Sequence, residues 1–248
     1  ANAVTLVRAA QAAGMSAKRA LGGTVLSVAV DQEYFDGLAK VRALRLMWAT
    51  VSRAFGHETP AVMEVRSSRR MLSMRDPWPN LLRLTAAGFA GAAGGADAVV
   101  LDGFTRAGGL PDGFARRQAR NTQLVLMEEA HLGRVDDPAA GSWYLDHRTR
   151  ELAEAGWAEF QAIEAEGGLV EALRGDLIQP RVARARASLE RGFTDGSAHR
   201  LGVTKFVDPE PRPVRTEPIA PSLPDASGDA CTPLTPIRLA ATQEEAAR

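Results

Sequence analysis

Cysteine is almost absent from this 248-residue chain. The single thiol, Cys231, lies in a Pro-rich stretch and has no partner for an internal disulfide. That excludes a disulfide-stapled framework and fits a reducing cytosol, so a cytoplasmic protein is expected. A charge excess of either sign is lacking too. Thirty basic and thirty acidic side chains cancel and the pI is about 7.2, so nothing pulls the chain onto nucleic acid or a membrane surface. No apolar run approaches the ~20 residues that cross a bilayer. The opening residues, Ala1 to Arg8, lack a signal-peptide layout; they begin inside a helical pattern and without an initiator Met. There is no phosphate loop, no His/Cys metal-ligand spacing and no hydrolase triad.

What is present alternates. Val4, Leu6, Val7, Ala10 and Ala13 fall roughly on one helical face over 2–13, with Gly14 as a C-cap. The β-rich run 24–30 follows the Gly22-Gly23 break and predicts a strand. Asp31 is placed to cap a long helix over 32–55, and Gly56 to end it. Pro60 starts a second strand over 61–65. Asp76-Pro77 predicts a helix start, with Asp as N-cap and Pro in the first turn, running to about 92. A third strand is expected at 98–102, a Gly-rich loop at 103–113 and a helix at about 114–132. Asp136 to Gly141 read as a loop and Trp143-Tyr144-Leu145 as a short extended piece. Amphipathic helices are expected at 148–166, 168–174 and 176–191.

Strands alternating with helices imply an α/β fold with a parallel sheet and helical crossovers. Three strands fall short of the eight of a closed (β/α)8 barrel and leave open edges. From Pro209 the composition shifts: eight of the chain's 14 prolines lie between Pro209 and Pro236. This divides the chain into 1–206 and an extended tail, 207–248, that wraps a partner or is disordered.

Three patterns stand in order: Arg75-Asp76-Pro77-Trp78-Pro79-Asn80, Ala119-Arg120-Asn121-Thr122-Gln123 and Asp137-Pro138-Ala139-Ala140-Gly141-Ser142. Around them lie Leu38 to Ala43 with Arg45 to Trp48, Ser67 to Met74, Gly94 to Asp97, and Ile163-Glu164 with Gly167-Gly168. Together they resemble the acyl-CoA mutase domain of the adenosylcobalamin-dependent methylmalonyl-CoA mutase family over most of 1–206. The likeness is greatest to the small, non-catalytic subunit of the two-subunit bacterial enzymes. The resemblance implies a partial (β/α)8 TIM barrel, its C-terminal strands and helices only, followed by the helical segment and the Pro-rich tail.

It also implies what this chain does not do. In the family, adenosylcobalamin supplies the radical and the protein positions the acyl-CoA and excludes water. The family's substrate-facing Tyr-His pair lies on strands upstream of anything present here. Catalytic members carry His where this chain has Glu64, and Gln where it has Arg66. The Arg and Ser that meet the acyl-CoA correspond to Gly23 and Val25. None of His57, His131, His147 and His199 sits in the cobalamin module's Asp-x-His-x-x-Gly pattern. No catalytic, cobalamin-binding or metal-binding residue is therefore expected. By family position, Glu64, Arg66, Ser68, Arg120, Asn121 and Gln123 are the substrate-facing candidates. The implied partner is the catalytic large subunit, in a heterodimer that binds adenosylcobalamin elsewhere. The rival reading is a stand-alone acyl-CoA-binding or scaffold protein that covers its sheet edges by self-association. An active mutase completed by a separately encoded half-barrel is opposed by Gly23, Val25, Glu64 and Arg66.

Plainer roles compete at each position. Arg120, Asn121 and Gln123, read as lying at a helix start, would tie down loop carbonyls rather than face a ligand. Asp76 is a helix cap, and Asp137-Pro138 with Gly141 shapes a tight turn. Lys40, Arg42 and Arg45 form a salt-bridged barrel exterior rather than a phosphate clamp. Glu64 and Asp102, at strand ends, are the candidates for an acid–base pair but lack a third group to orient them. Trp48, Trp78, Trp143 and Trp157 are core or interface anchors.

Overall fold

The three β-branched runs pair as parallel strands, β1 (Val25–Val30), β2 (Val62–Ser67) and β3 (Ala98–Val100), in the order β1-β2-β3. This is a computed structural model, and it describes residues 1–219 and 231–246. Val25 faces Val62, and Glu64 has Ser27 on one side and Ala98 on the other. Side chains alternate across the sheet. Leu26, Val30, Met63 and Val65 go to the buried face, while Val25 and Val62 stay exposed on the other. Among the described residues β1 and β3 are both edges.

Helices α1 (Asn2–Ala12) and α2 (Ala17–Gly22) precede β1, and Gly14, at φ 89°, turns the chain between them. Helix α3 (Tyr34–Ala54) crosses from β1 to β2 and buries Leu38, Ala39, Val41, Trp48 and Val51. Each such large side chain contributes about 1.5–3 kcal/mol by leaving water. Helix α4 (Asn80–Ala93) crosses from β2 to β3 on a face of Ala87, Gly88, Ala90 and Gly91, small enough for the helix to lie close on the sheet. Helix α6 (Trp143–Ala165) packs outside α3. Between α4 and α6 in the chain, α5 (Gly113–Leu124) runs on into a π-helical turn, Val125–Glu129. Helices α7 (Leu169–Arg174) and α8 (Gln179–Thr194) follow.

Three expected helix starts are displaced. Asp31 does not cap α3: its Oδ1 accepts from the Glu33 amide at 3.1 Å, its Oδ2 holds Arg70 at 2.6 Å, and the cap position is Glu33. Asp76 accepts from the Trp78 amide at 3.3 Å and shapes a turn, but α4 begins only at Asn80. Pro77 and Pro79 account for the delay, because a residue before proline is pushed out of the α region. Trp143-Tyr144-Leu145 is not extended. It is the first turn of α6, with the Ser142 hydroxyl accepting from the Leu145 amide at 3.5 Å.

A second, two-stranded sheet joins β4 (Leu110–Pro111) to β5 (Thr216–Glu217) in antiparallel fashion. Two aromatic contacts hold the same stretch down: Trp78 Nε1 donates to the Arg212 carbonyl at 3.0 Å, and the Arg212 guanidinium lies 4.9 Å from the Trp78 ring centroid. Further on, the Leu239 amide donates to the Arg70 carbonyl at 2.9 Å and leads to a short helix, α9 (Ala241–Ala246). Within it Glu244 accepts from the amides of Met74 and Arg75, at 2.6 and 3.1 Å. The described parts of the Pro-rich segment thus lie against this chain; the rest of that reading falls on 220–230 and 247–248, outside the described residues.

Candidate functional site

Strand β2 aims Glu64 and Arg66 at the same, uncovered face of the sheet, because they are two residues apart. Arg66 Nε donates to Glu64 Oε1 at 2.7 Å, and the Ser27 hydroxyl donates to the same oxygen at 2.9 Å from the neighbouring strand. The Arg66 hydrogen bond, then that of Ser27, holds the Glu64 carboxyl below its ordinary range; Arg66 is raised in turn. Glu64 is therefore an ionised acceptor near neutral pH, with no proton to give as a general acid.

At the C-terminal end of the strands, Ser67 ties β2 to the segment after β3 by accepting from the Asp102 amide at 2.8 Å. The Asp102 carboxylate holds Arg69 at 2.8 Å and has Arg106 at 3.8 Å. Glu64 and Asp102 each have their own cation, so they do not form the acid–base pair considered from the sequence. Arg66, Ser68, Arg69 and Asp102 line a cavity of about 460 Å³, closed on one side by Thr235, Pro236 and Ile237.

The other three sequence candidates lie elsewhere. Arg120, Asn121 and Gln123 sit in the last turns of α5, not at a helix start. Among the described residues their side chains make no hydrogen bond or ion pair, so the expected tie to loop carbonyls is absent. Arg120 lines a shallow depression with Arg116 and Arg117, separate from the strand-end cavity. Asn121 and Gln123 line neither.

The basic cluster on α3 behaves as a structural exterior. Lys40 donates to the Ala29 carbonyl at 2.9 Å; Arg42 reaches Asp137 and Asp146, both at 2.9 Å; Arg45 reaches the Ala61 carbonyl at 3.1 Å. Burial works against the Arg42 charge, but the hydrogen bonds it donates to Asp146 and Asp137 outweigh it and raise its pKa. The pair at Asp137 also secures the turn after α5, where Asp137 has φ 41° and Gly141 φ 81°. Trp48 is core, as expected, while Trp143 at 91% exposed is on the surface.

Sequence reasoning missed a buried polar hub. Asn80 accepts from the Ser73 amide at 3.0 Å and donates to the carbonyls of Ser73 and Phe104, both at 2.8 Å. Arg83 Nη1 donates to Asn80 Oδ1 at 2.6 Å and to Ser73 Oγ at 3.0 Å. The signal was the Asp-Pro-Trp-Pro-Asn pattern itself, whose Asn is an internal connector. Among the described residues no three His, Cys, Asp or Glu side chains gather where a metal ion would fit. None of their helices is long and apolar enough to cross a membrane.

Parallel strands joined by crossover helices define an α/β protein. The family is more specific. The family model for methylmalonyl-CoA mutase matches residues 1–228, and the chain belongs to that family. It is 41% identical to the probable methylmalonyl-CoA mutase small subunit of Mycobacterium tuberculosis over 99% of this chain and 38% of the relative. It is 41% identical to the methylmalonyl-CoA mutase small subunit of Streptomyces virginiae over 90% of this chain and 36% of the relative. The corresponding subunit of Propionibacterium freudenreichii subsp. shermanii is 34% identical over 90% of this chain and 35% of the relative. The chain thus spans little more than a third of the length of these relatives.

Proposed function

We propose that this chain is part of the non-catalytic small subunit of an adenosylcobalamin-dependent methylmalonyl-CoA mutase. The enzyme interconverts methylmalonyl-CoA and succinyl-CoA, and this chain supports the catalytic large subunit in the cytosol. In this reading residues 1–206 are the C-terminal part of a (β/α)8 barrel. The free edges of β1 and β3 are then completed by strands outside these 248 residues. The acyl-CoA chemistry belongs to the partner.

The observation that carries this is the closed triad of Ser27, Glu64 and Arg66. A carboxylate in the middle of β2, held ionised by its own arginine, offers neither the imidazole nor the free amide that the resemblance assigns to catalytic members at that position. The residues present do not fit cobalamin either. His147 pairs with Glu151 on the outer helix α6, away from the strand ends. Thr235 to Ile237 lie across the strand-end cavity where a flat macrocycle would approach.

The test has two arms. The chain purified alone is assayed for isomerisation of methylmalonyl-CoA and for retention of cobalamin, and the same chain is captured from its host to identify what travels with it. Neither activity nor cobalamin in the first arm, with a larger cobalamin-bearing subunit in the second, supports the reading. Turnover by the isolated chain sinks it. A stable homodimer with no larger subunit would favour the rival scaffold reading, for which the exposed Trp143 and Tyr144 are the observation in favour.

A further inference from the structure

A cavity of about 580 Å³ lies between α3, the C-terminal end of α4 and the loop 131–138. It opens near the start of β3, at the other end of the sheet from the strand-end cavity, and the two share no residue. Small residues line it where α4 ends: Ala92, Ala93, Gly94 and Gly95. Gly94 is pressed against α3, since a Cβ there would stand 3.0 Å from the Leu38 carbonyl oxygen and 3.0 Å from Val41 Cβ. The loop on the other side is tied to α3 by Arg42, which reaches Asp137 at 2.9 Å. The space is therefore shaped by the fold itself.

Two large apolar side chains are left uncovered here. Leu46 is 53% exposed and Val135 63% exposed, and both line the cavity. Apolar surface bordering a concave space of this size is what the apolar part of a small ligand covers.

The charges around the cavity do not balance. Arg42 is answered by Asp137 and Asp146, and Arg45 by Asp97 at 3.5 Å and by the carbonyls of Ala61 and Gly95. Asp136 also lines the cavity, is exposed, and among the described residues its carboxylate has no hydrogen bond or ion pair. Arg134, two positions earlier, does not line the space. His131 lines it too, and a neutral imidazole nitrogen can accept a hydrogen bond. An occupant thus gains from a positive charge beside Asp136, and an anion meets a carboxylate that nothing shields.

We propose that this cavity binds a small amphipathic cation, with an apolar ring or short chain against Leu46, Val135 and the alanines and an ammonium group on Asp136. The site does not depend on the mutase reading.

The experiment is an NMR titration of the full chain, with any subunit that accompanies it in its host. The probes are benzylamine, benzyl alcohol and benzoate, which share a ring and differ in charge at neutral pH. Saturation transfer and line broadening on the probe signals give a dissociation constant for each. Benzylamine should bind about fivefold more tightly than benzyl alcohol, the upper worth of an exposed ion pair, and benzoate most weakly. Asp136→Asn should remove the preference for the cation, and Val135→Ser should weaken all three probes to a similar degree. Both positions are exposed, so both variants keep the fold. Equal affinity for the three probes, or a cation preference unchanged in Asp136→Asn, would overturn the proposal. So would benzylamine binding that Val135→Ser leaves untouched, because the probe would then sit elsewhere.

Discussion

Gly91 of α4 lies so close to Val65 of β2 that a Cβ on the glycine would stand 2.7 Å from Val65 Cγ1. The helix rests on the sheet through that contact, and neither side has room to retreat. Gly91→Ala should lower stability by about 1–3 kcal/mol, the usual cost of overpacking, although alanine is the better helix former. Gly113, the first residue of α5, is the control: a Cβ there meets nothing within 4 Å, so Gly113→Ala should be neutral or slightly stabilising. Denaturant midpoints of the two variants, side by side, check both.

The Asn80 hub should be among the most sensitive polar positions. Asn80→Leu keeps the size but leaves the Ser73 amide, two carbonyls and one bond of Arg83 without partners. At about 1–3 kcal/mol for each unsatisfied buried group, a total loss of about 3 kcal/mol or more is expected. A loss under 1 kcal/mol in equilibrium unfolding would mean that water replaces these bonds easily.

Acid stability should depend on the clasp between α3 and α6. The Arg148 hydrogen bond holds the Asp36 carboxyl below its ordinary value of 3.8, at 2.7 Å from Nε. The unfolded chain binds this proton at a higher pH than the folded chain does. The stabilisation is therefore complete above that ordinary value and is lost as pH falls through the lower folded pKa. Asp36→Asn should flatten this part of the acid limb, read from unfolding midpoints measured from pH 6 down to the acid transition.

Glu244 fastens the C-terminal segment. It is 4% exposed and takes three hydrogen bonds, two from the amides of Met74 and Arg75 and one from Arg238 at 2.6 Å. Glu244→Ala should speed hydrogen exchange at Met74, Arg75 and Leu239 together, while the amides of β1 and β2 keep their protection. Faster exchange confined to 241–246 would show that the loop after β2 is held by other contacts.

The strands were the legible part of the fold. Val25 to Val30 and Val62 to Val65 are β-branched runs between glycine or proline breaks, and local composition was enough to place them. Helix starts were less so, because Asp31 and Asp76 have the right chemistry for caps but are used otherwise. One answers Arg70, 39 residues away, and the other folds a turn between two prolines. Ser142 carried the true signal for α6, hidden by the β-like run Trp143-Tyr144-Leu145 that follows it. The pairing of Leu110-Pro111 with Thr216-Glu217 has no local signature, since each strand is two residues long. Of the candidate site, the placing of Glu64 and Arg66 on one face of β2 followed from their spacing of two. The added bond from Ser27 to Glu64 was not legible, because it depends on the register of β1 with β2. The cavity lined by Leu46 and Val135 brings together residues far apart in the sequence, which no spacing rule joins.

The Glu244 contact also has a consequence for timing. A polypeptide leaves the ribosome from its N-terminus, so β1, β2 and α4 emerge long before residue 244. The amides of Met74 and Arg75 receive their carboxylate from 170 and 169 positions downstream. During synthesis the loop after β2 is therefore without its clamp while the sheet it borders is already outside the tunnel. Maturation of that loop is a late step, set by translation rather than by the speed of the sheet.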